Sequence, residues 1–240
     1  MKNYTLLIVL FCTSINLNDQ FRQLEENSNW NKYQKVIEKE HPEKKQSWSF
    51  VYDLKNGKIS VLKTYFDNEL RSENYFSYYD KSNLEKIKMN GVEVKNKLKY
   101  DELGQLVAQN NIHFEYDNNG KLIRQYLDVF EEWKGKKGWS EKYIYDDSGS
   151  LIQLEKSTYL NKQFQIEIEN YIYDDCKNII QITRKSNPKR AYPIVIIGGE
   201  TKNESDFYFY EYNSDCIWTK KYKLVNGDKA LISERELIKV

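Results

Sequence analysis

A seven-residue word, Tyr-Asp-x-x-Gly-x-Leu, recurs along this chain and limits its fold more than any other feature. It reads Tyr-Asp-Asp-Ser-Gly-Ser-Leu from Tyr145, Tyr-Asp-Asn-Asn-Gly-Lys-Leu from Tyr116 and Tyr-Asp-Glu-Leu-Gly-Gln-Leu from Tyr100. Looser copies start at Tyr52, Tyr79, Tyr173 and Tyr212. The Asp or Asn after the tyrosine can accept a hydrogen bond from the backbone two residues on, and Gly supplies the positive φ of a tight turn. Each copy therefore predicts strand, turn, strand. Gly104, Gly120 and Gly149 hold the glycine slot, Asn83 fills it in the Tyr79 copy, and Gly57 comes one residue late in the Tyr52 copy. Lys177 and Cys216 stand there in the last two copies, so those turns are expected to be strained or of another type.

Plainer turn signals fall between these copies: Asp67-Asn68, Asn90-Gly91, Lys134 to Gly138, Asn161-Lys162 and Asn226-Gly227. The internal period is thus a pair of antiparallel strands, which predicts about fifteen strands between Ser47 and Leu237. At about 4.8 Å per strand, such a sheet laid flat would be roughly 70 Å wide, so it is expected to curve or roll. The fold class is all-β, an antiparallel up-and-down meander in one large sheet. Three prolines in 240 residues agree with a chain made mostly of ladder.

The N-terminus reads differently. Met1 to Ser14 has the form of an export signal, with Lys2, an apolar run from Leu6 to Phe11, and small residues after it. That run is too short to span a bilayer. Cys12 offers an alternative site for lipid attachment. Residues 15–46 read as a polar tether followed by one short helix. Trp30, Tyr33 and Ile37 supply its apolar stripe and Pro42 its stop. Residues 47–240 form the β domain.

Alternation sorts the strands into two faces. In Gln163 to Tyr173, Phe164, Ile166, Ile168 and Ile172 share one face, and Gln165, Glu167, Glu169, Tyr171 and Tyr173 the other. The aliphatic or Phe-rich face is expected to be core, and the tyrosine face wetter. Tyr143, Tyr145, Tyr171, Tyr173, Tyr208 and Tyr210 are then the candidate binding residues, since exposed rings can stack on sugars or anchor protein partners. The irregular stretch from Ser186 to Ser205, with Pro188, Pro193 and Gly198-Gly199, is expected to cover part of the core or add a short strand, and is the second candidate surface.

These Tyr-Asp copies, spread over residues 50–240, resemble the YD repeats of Rhs-type bacterial surface and toxin-delivery proteins. The run from Tyr212 to Val240, with Trp218-Thr219-Lys220-Lys221 and Glu234-Arg235-Glu236, resembles the closing repeat of short exported members. The resemblance implies an antiparallel β scaffold outside the cell or at its surface. It supplies no catalytic residue.

His41 and His113 lack metal-ligand spacing, and no nucleophile, phosphate or dinucleotide motif is present. Asp146-Asp147 and Asp174-Asp175 read as turn residues before calcium ligands. With 37 Lys+Arg against 36 Asp+Glu, interspersed, no basic surface for nucleic acid stands out. No catalytic residue, metal or cofactor is assigned. Cys176 and Cys216 sit in turns two strands apart, about 9–10 Å, so both thiols are expected to be unpaired. The function expected is a non-catalytic, secreted or surface-associated bacterial scaffold that binds a protein or glycan. An extracellular hydrolase and a toxin-immunity-like partner are the alternatives.

Overall fold

The computed structural model describes residues 28–41, 44, 47–56, 58–78, 84–93, 98–132, 134, 137–160, 163–195 and 200–239. The signal-like segment, Cys12, the tether before Ser28 and the Tyr79 turn with Asn83 lie outside the described residues. Among those described, seventeen strands belong to one antiparallel sheet. They are β1 Tyr33–Glu40, β2 Trp48–Lys55, β3 Lys58–Phe66, β4 Glu69–Tyr78, β5 Leu84–Met89, β6 Val92–Glu93, β7 Leu98–Tyr100, β8 Leu106–Gln109 and β9 Ile112–Tyr116. Then come β10 Leu122–Leu127, β11 Gly138–Tyr145, β12 Leu151–Leu160, β13 Gln163–Tyr173, β14 Ile179–Asn187, β15 Ser205–Tyr212, β16 Trp218–Val225 and β17 Asp228–Lys239. A single helical turn, α1 Asp128–Glu132, sits between β10 and β11.

The chain divides into two compact units. Unit 1 comprises Met1–Val94, Glu211–Lys220 and Leu231–Val240, and unit 2 comprises Lys95–Tyr210 and Lys221–Ala230. In unit 1, β2 to β6 pair in sequence order, while β1 lies between β2 and β17, with Val36 opposite both Tyr52 and Leu237. In unit 2, β7 to β15 pair consecutively.

The recurring word does one structural job at five of its copies, those starting at Tyr100, Tyr116, Tyr145, Tyr173 and Tyr212. In the turn after Tyr116, the Asp117 carboxylate accepts the N–H groups of Asn119 (2.9 Å) and Lys121 (2.8 Å), and Gly120 N–H donates to Asp117 C=O at 3.0 Å. The turns at Asp101, Asp146, Asp174 and Asn213 carry matching side-chain and backbone bonds. Lys177 (φ 64°) and Cys216 (φ 60°) take the left-handed geometry of Gly149 (φ 86°). The last two turns are therefore of the same type as the others, with a side chain held in the left-handed region. The Asx bonds fix the loop whatever residue fills the slot.

A bulge follows every such turn in unit 2. Tyr100 pairs with Leu106, Tyr116 with Leu122, Tyr145 with Leu151 and Tyr173 with Ile179, and the ladder slips by one residue at each of these steps. Bulges disturb the ladder and leave backbone groups needing other partners. Tyrosine hydroxyls supply them. Tyr116 donates to Leu106 C=O (2.8 Å), Tyr145 to Leu122 C=O (2.7 Å), Tyr173 to Leu151 C=O (2.7 Å) and Tyr210 to Ile179 C=O (2.8 Å). Each copy is thus pinned to the one before it.

The N-terminal helix is not formed as expected. Ser28–Lys32 is a 3₁₀ turn, and Tyr33 onward is strand β1. The 3.6-residue stripe of Trp30, Tyr33 and Ile37 is overridden because β1 has a ladder on both sides. Val36 and Glu38 are buried there and Ile37 is only half-buried.

Unit 1 closes around Trp30, Tyr33, Val36, Tyr52, Leu54, Ile59, Leu62, Phe76 and Ile217. Ile59 is 1% exposed. A buried ion pair joins this unit: Arg235 Nε lies 2.8 Å from Glu38 Oε2, with its guanidinium 3.5 Å from the Trp218 ring centre.

Unit 2 reverses the expected assignment of faces. Tyr143 and Tyr208 are 7% and 6% exposed, whereas Ile144, Ile172 and Phe207 are 45%, 51% and 38% exposed. Alternation separates two faces correctly but does not say which is inside. Here the charged, tyrosine-bearing face buries because its charges are mutually paired.

Candidate functional site

The densest polar arrangement among the described residues lies on that buried face of unit 2. Strand register builds it: Lys156 on β12 opposes Glu167 on β13, Glu169 opposes Arg184 on β14, and Ile182 opposes Asp206 on β15. Lys223 of β16 joins them, and the strap between β14 and β15 adds Glu200, Lys202 and Asn203.

Arg184 is the hub. Its Nε donates to Glu169 Oε1 at 2.8 Å, and its Nη1 donates to Asp206 Oδ2 and, at 2.9 Å, to Asn203 C=O. Glu169 also accepts from Lys156 (2.7 Å) and from the Tyr171 hydroxyl (2.9 Å). Lys223 lies 2.9 Å from Asp206 Oδ1 and donates to Thr201 C=O at 2.6 Å. Asn203 donates to Asp206 Oδ1 at 2.8 Å. Glu169, Arg184, Asp206 and Lys223 are at most 5% exposed.

Burial alone would oppose ionisation of Glu169, but Lys156, Lys202 and Arg184 outweigh it and hold its pKa at about 2. Asp206 follows the same logic: burial acts against the charge, and Lys223, Arg184 and Asn203 pull its pKa below the ordinary value. Burial and then Glu200 raise the Tyr208 phenol. Burial, seconded by Lys156, lowers the Lys202 ammonium, which stands 3.9 Å from both Glu167 and Glu169.

Glu167, Glu169, Glu200 and Asp206 are thereby balanced by Lys156, Arg184, Lys202 and Lys223. A general acid needs a carboxyl pKa moved upward, and both deeply buried acids move downward. The arrangement is suited to fixing five strands and the strap in register.

The six candidate tyrosines are all engaged internally. Tyr145, Tyr173 and Tyr210 bond backbone carbonyls as described. Tyr143 donates to Glu141 at 2.7 Å, Tyr171 to Glu169, and Tyr208 to Glu200 at 3.4 Å. The structure gathers Tyr171 and Tyr208 at the charge cluster, leaves Tyr145, Tyr173 and Tyr210 in the repeat pins, and sets Tyr143 on Glu141. Asp146 likewise serves its own turn, accepting from Ser148 Oγ and Ser150 N–H, which lowers its pKa. His113 pairs with Asp128 and stacks on Tyr126 with ring centres 5.4 Å apart.

Cys176 and Cys216 are both disulfide-bonded, which overturns the expectation of free thiols. The inter-strand spacing used for that expectation applies along a ladder. Both cysteines sit in turns beyond the last paired residues, where that spacing no longer fixes the chain.

The strap is partly as expected. It adds an isolated bridge, Ile194 to Lys202. It also delivers the polar groups that complete the cluster, which its apolar run did not foretell.

No protein-family model matches the chain, and no curated protein matches it. Among solved structures, a porin-like protein from Bacteroides uniformis aligns over 85% of this chain and 97% of its own, at 13% identity and a TM-score of 0.48. A chain of the Photorhabdus luminescens Tc holotoxin pore aligns at 15% identity and a TM-score of 0.34, and one of a TcdB2-TccC3-Cdc42 complex at 13% and 0.33. Each covers 78% of this chain, which spans 11% of the toxin chain's length. At these scores the likenesses carry no argument about family or function.

Proposed function

We propose that this chain is a non-catalytic, exported scaffold of the YD-repeat type that works as an interaction module outside the cytoplasm. The observation that carries the reading is the interlocked repeat. In the copies with Asp101, Asp117, Asp146, Asp174 and Asn213 that side chain is used by its own turn, and from Tyr116 to Tyr210 tyrosine hydroxyls are used by the preceding copy. Residues that could look like a carboxylate site or a sugar platform are consumed in holding the sheet. Two disulfide-bonded cysteines support an oxidising compartment, as does the signal-like N-terminus.

The contact surface is then the opposite face of unit 2, where Ile144, Phe164, Ile172 and Phe207 are exposed. Apolar side chains among polar ones suit a protein partner better than a nucleic acid. Expressing the full chain in a bacterium and sequencing the N-terminus of the envelope and medium fractions tests the export half. A mature protein beginning after Ser14 or at Cys12, with oxidised cysteines, supports it. An uncleaved, reduced cytoplasmic protein contradicts it. Replacing Phe164 and Phe207 with Ser should abolish capture of a partner from the producing cell's surface proteins while leaving the fold intact. Unchanged capture refutes the assigned face.

A further inference from the structure

We infer that the peptide bond between Lys189 and Arg190 is a processing site for a protease that cleaves after basic residues. The reading rests on export only for where the protease is met.

The β14 ladder ends at Asn187, and the next backbone pairing is the Ile194 to Lys202 bridge. Among the described residues, the backbone between them is held by one bond, Arg190 N–H to Ser186 Oγ at 2.8 Å. Pro188, Lys189 and Ala191 are exposed. A protease must draw several residues into extended form, and an exposed segment free of ladder allows this far more easily than a hairpin tip.

The two basic residues are not equivalent. Arg190 is docked on β13, its Nη1 lying 3.2 Å from Glu167 and its Nη2 on Gln165. Its guanidinium is thereby withheld from a specificity pocket. Lys189 has no such docking and is the residue a protease can seat. Hydrolysis adds water across the bond, leaving a carboxylate on Lys189 and an ammonium on Arg190. The strap residues that serve the cluster, Glu200 to Asn203, all lie after the cut and stay continuous with β15.

The test is limited trypsin digestion of the folded chain, followed by intact mass and N-terminal sequencing of the products. The expected first product begins at Arg190. Lys189→Gln should remove it. Glu167→Ala combined with Gln165→Ala, which removes both partners of the Arg190 guanidinium, should add cleavage after Arg190. First cleavage elsewhere, or no cleavage, overturns the proposal. Recovery of the Arg190 terminus from the producing cell's medium extends the result to the natural setting. Only the uncut chain there confines the bond to a laboratory sensitivity and refutes processing. Neither digestion result depends on whether the chain is exported.

Discussion

The two units solve one problem with different chemistry. Unit 1 fills its interior with Val36, Leu54, Ile59, Leu62 and Phe76, closed by Trp30, Tyr33 and Tyr52, and tolerates one deep ion pair, Glu38 with Arg235. Unit 2 fills its interior with Glu169, Arg184, Asp206 and Lys223, ringed by tyrosines, and leaves Ile172 and Phe207 outside. Both use the same repeating turn. Apolar burial is non-directional and forgives small shifts. A buried charge network is stabilising only when each member has its partner, so it fixes register strictly. Losing one member is therefore predicted to hurt unit 2 more than trimming one apolar residue hurts unit 1.

That contrast can be broken by mutation. Arg184→Met leaves Glu169 and Asp206 short of their shared cation, and a loss of about 3–5 kcal/mol is expected from urea denaturation. Leu62→Ala in unit 1 removes packing and should be destabilising by about 3 kcal/mol. If Leu62→Ala proves the more damaging, the charge cluster is peripheral to stability.

Acid separates the units in another way. Glu169 has a folded pKa of about 2 against an ordinary 4.5. A lowered acid pKa contributes stability that is full above the unfolded value and fades as pH falls through the folded one. Segment-resolved hydrogen exchange should show β13 to β15 losing protection between about pH 4.5 and 2, before β2 and β3 do. Simultaneous loss would contradict the assignment.

The smallest effect sharpens the repeat itself. Tyr145→Phe deletes the hydroxyl on Leu122 C=O and should be destabilising by about 1 kcal/mol in thermal or urea unfolding. A neutral result would mean that water replaces the pin.

Much of this was legible in the sequence. Asp117 with Gly120 and Asp146 with Gly149 announced their turns, and the alternation along Gln163 to Tyr173 announced β13. Two things were hidden. Helical spacing at Trp30, Tyr33 and Ile37 was coincidental, because strand pairing from β2 and β17 decides that segment and β17 is distant in sequence. The sign of burial in unit 2 depends on Lys156, Glu169, Arg184, Asp206 and Lys223 meeting across five strands. Their opposite charges at matched alternate positions are the signal, visible only once the register is known. The bulge after each turn shifts that register by one residue, so counting along strands could not align them.

Hydroxyl-radical footprinting of the folded chain, read by mass spectrometry at single residues, tests the inverted faces of unit 2 most directly. Phe164 and Phe207 should be oxidised readily, while Tyr143 and Tyr208 are protected until the protein unfolds. Fast oxidation of those tyrosines with Phe164 and Phe207 shielded would contradict a buried charge-and-tyrosine interior.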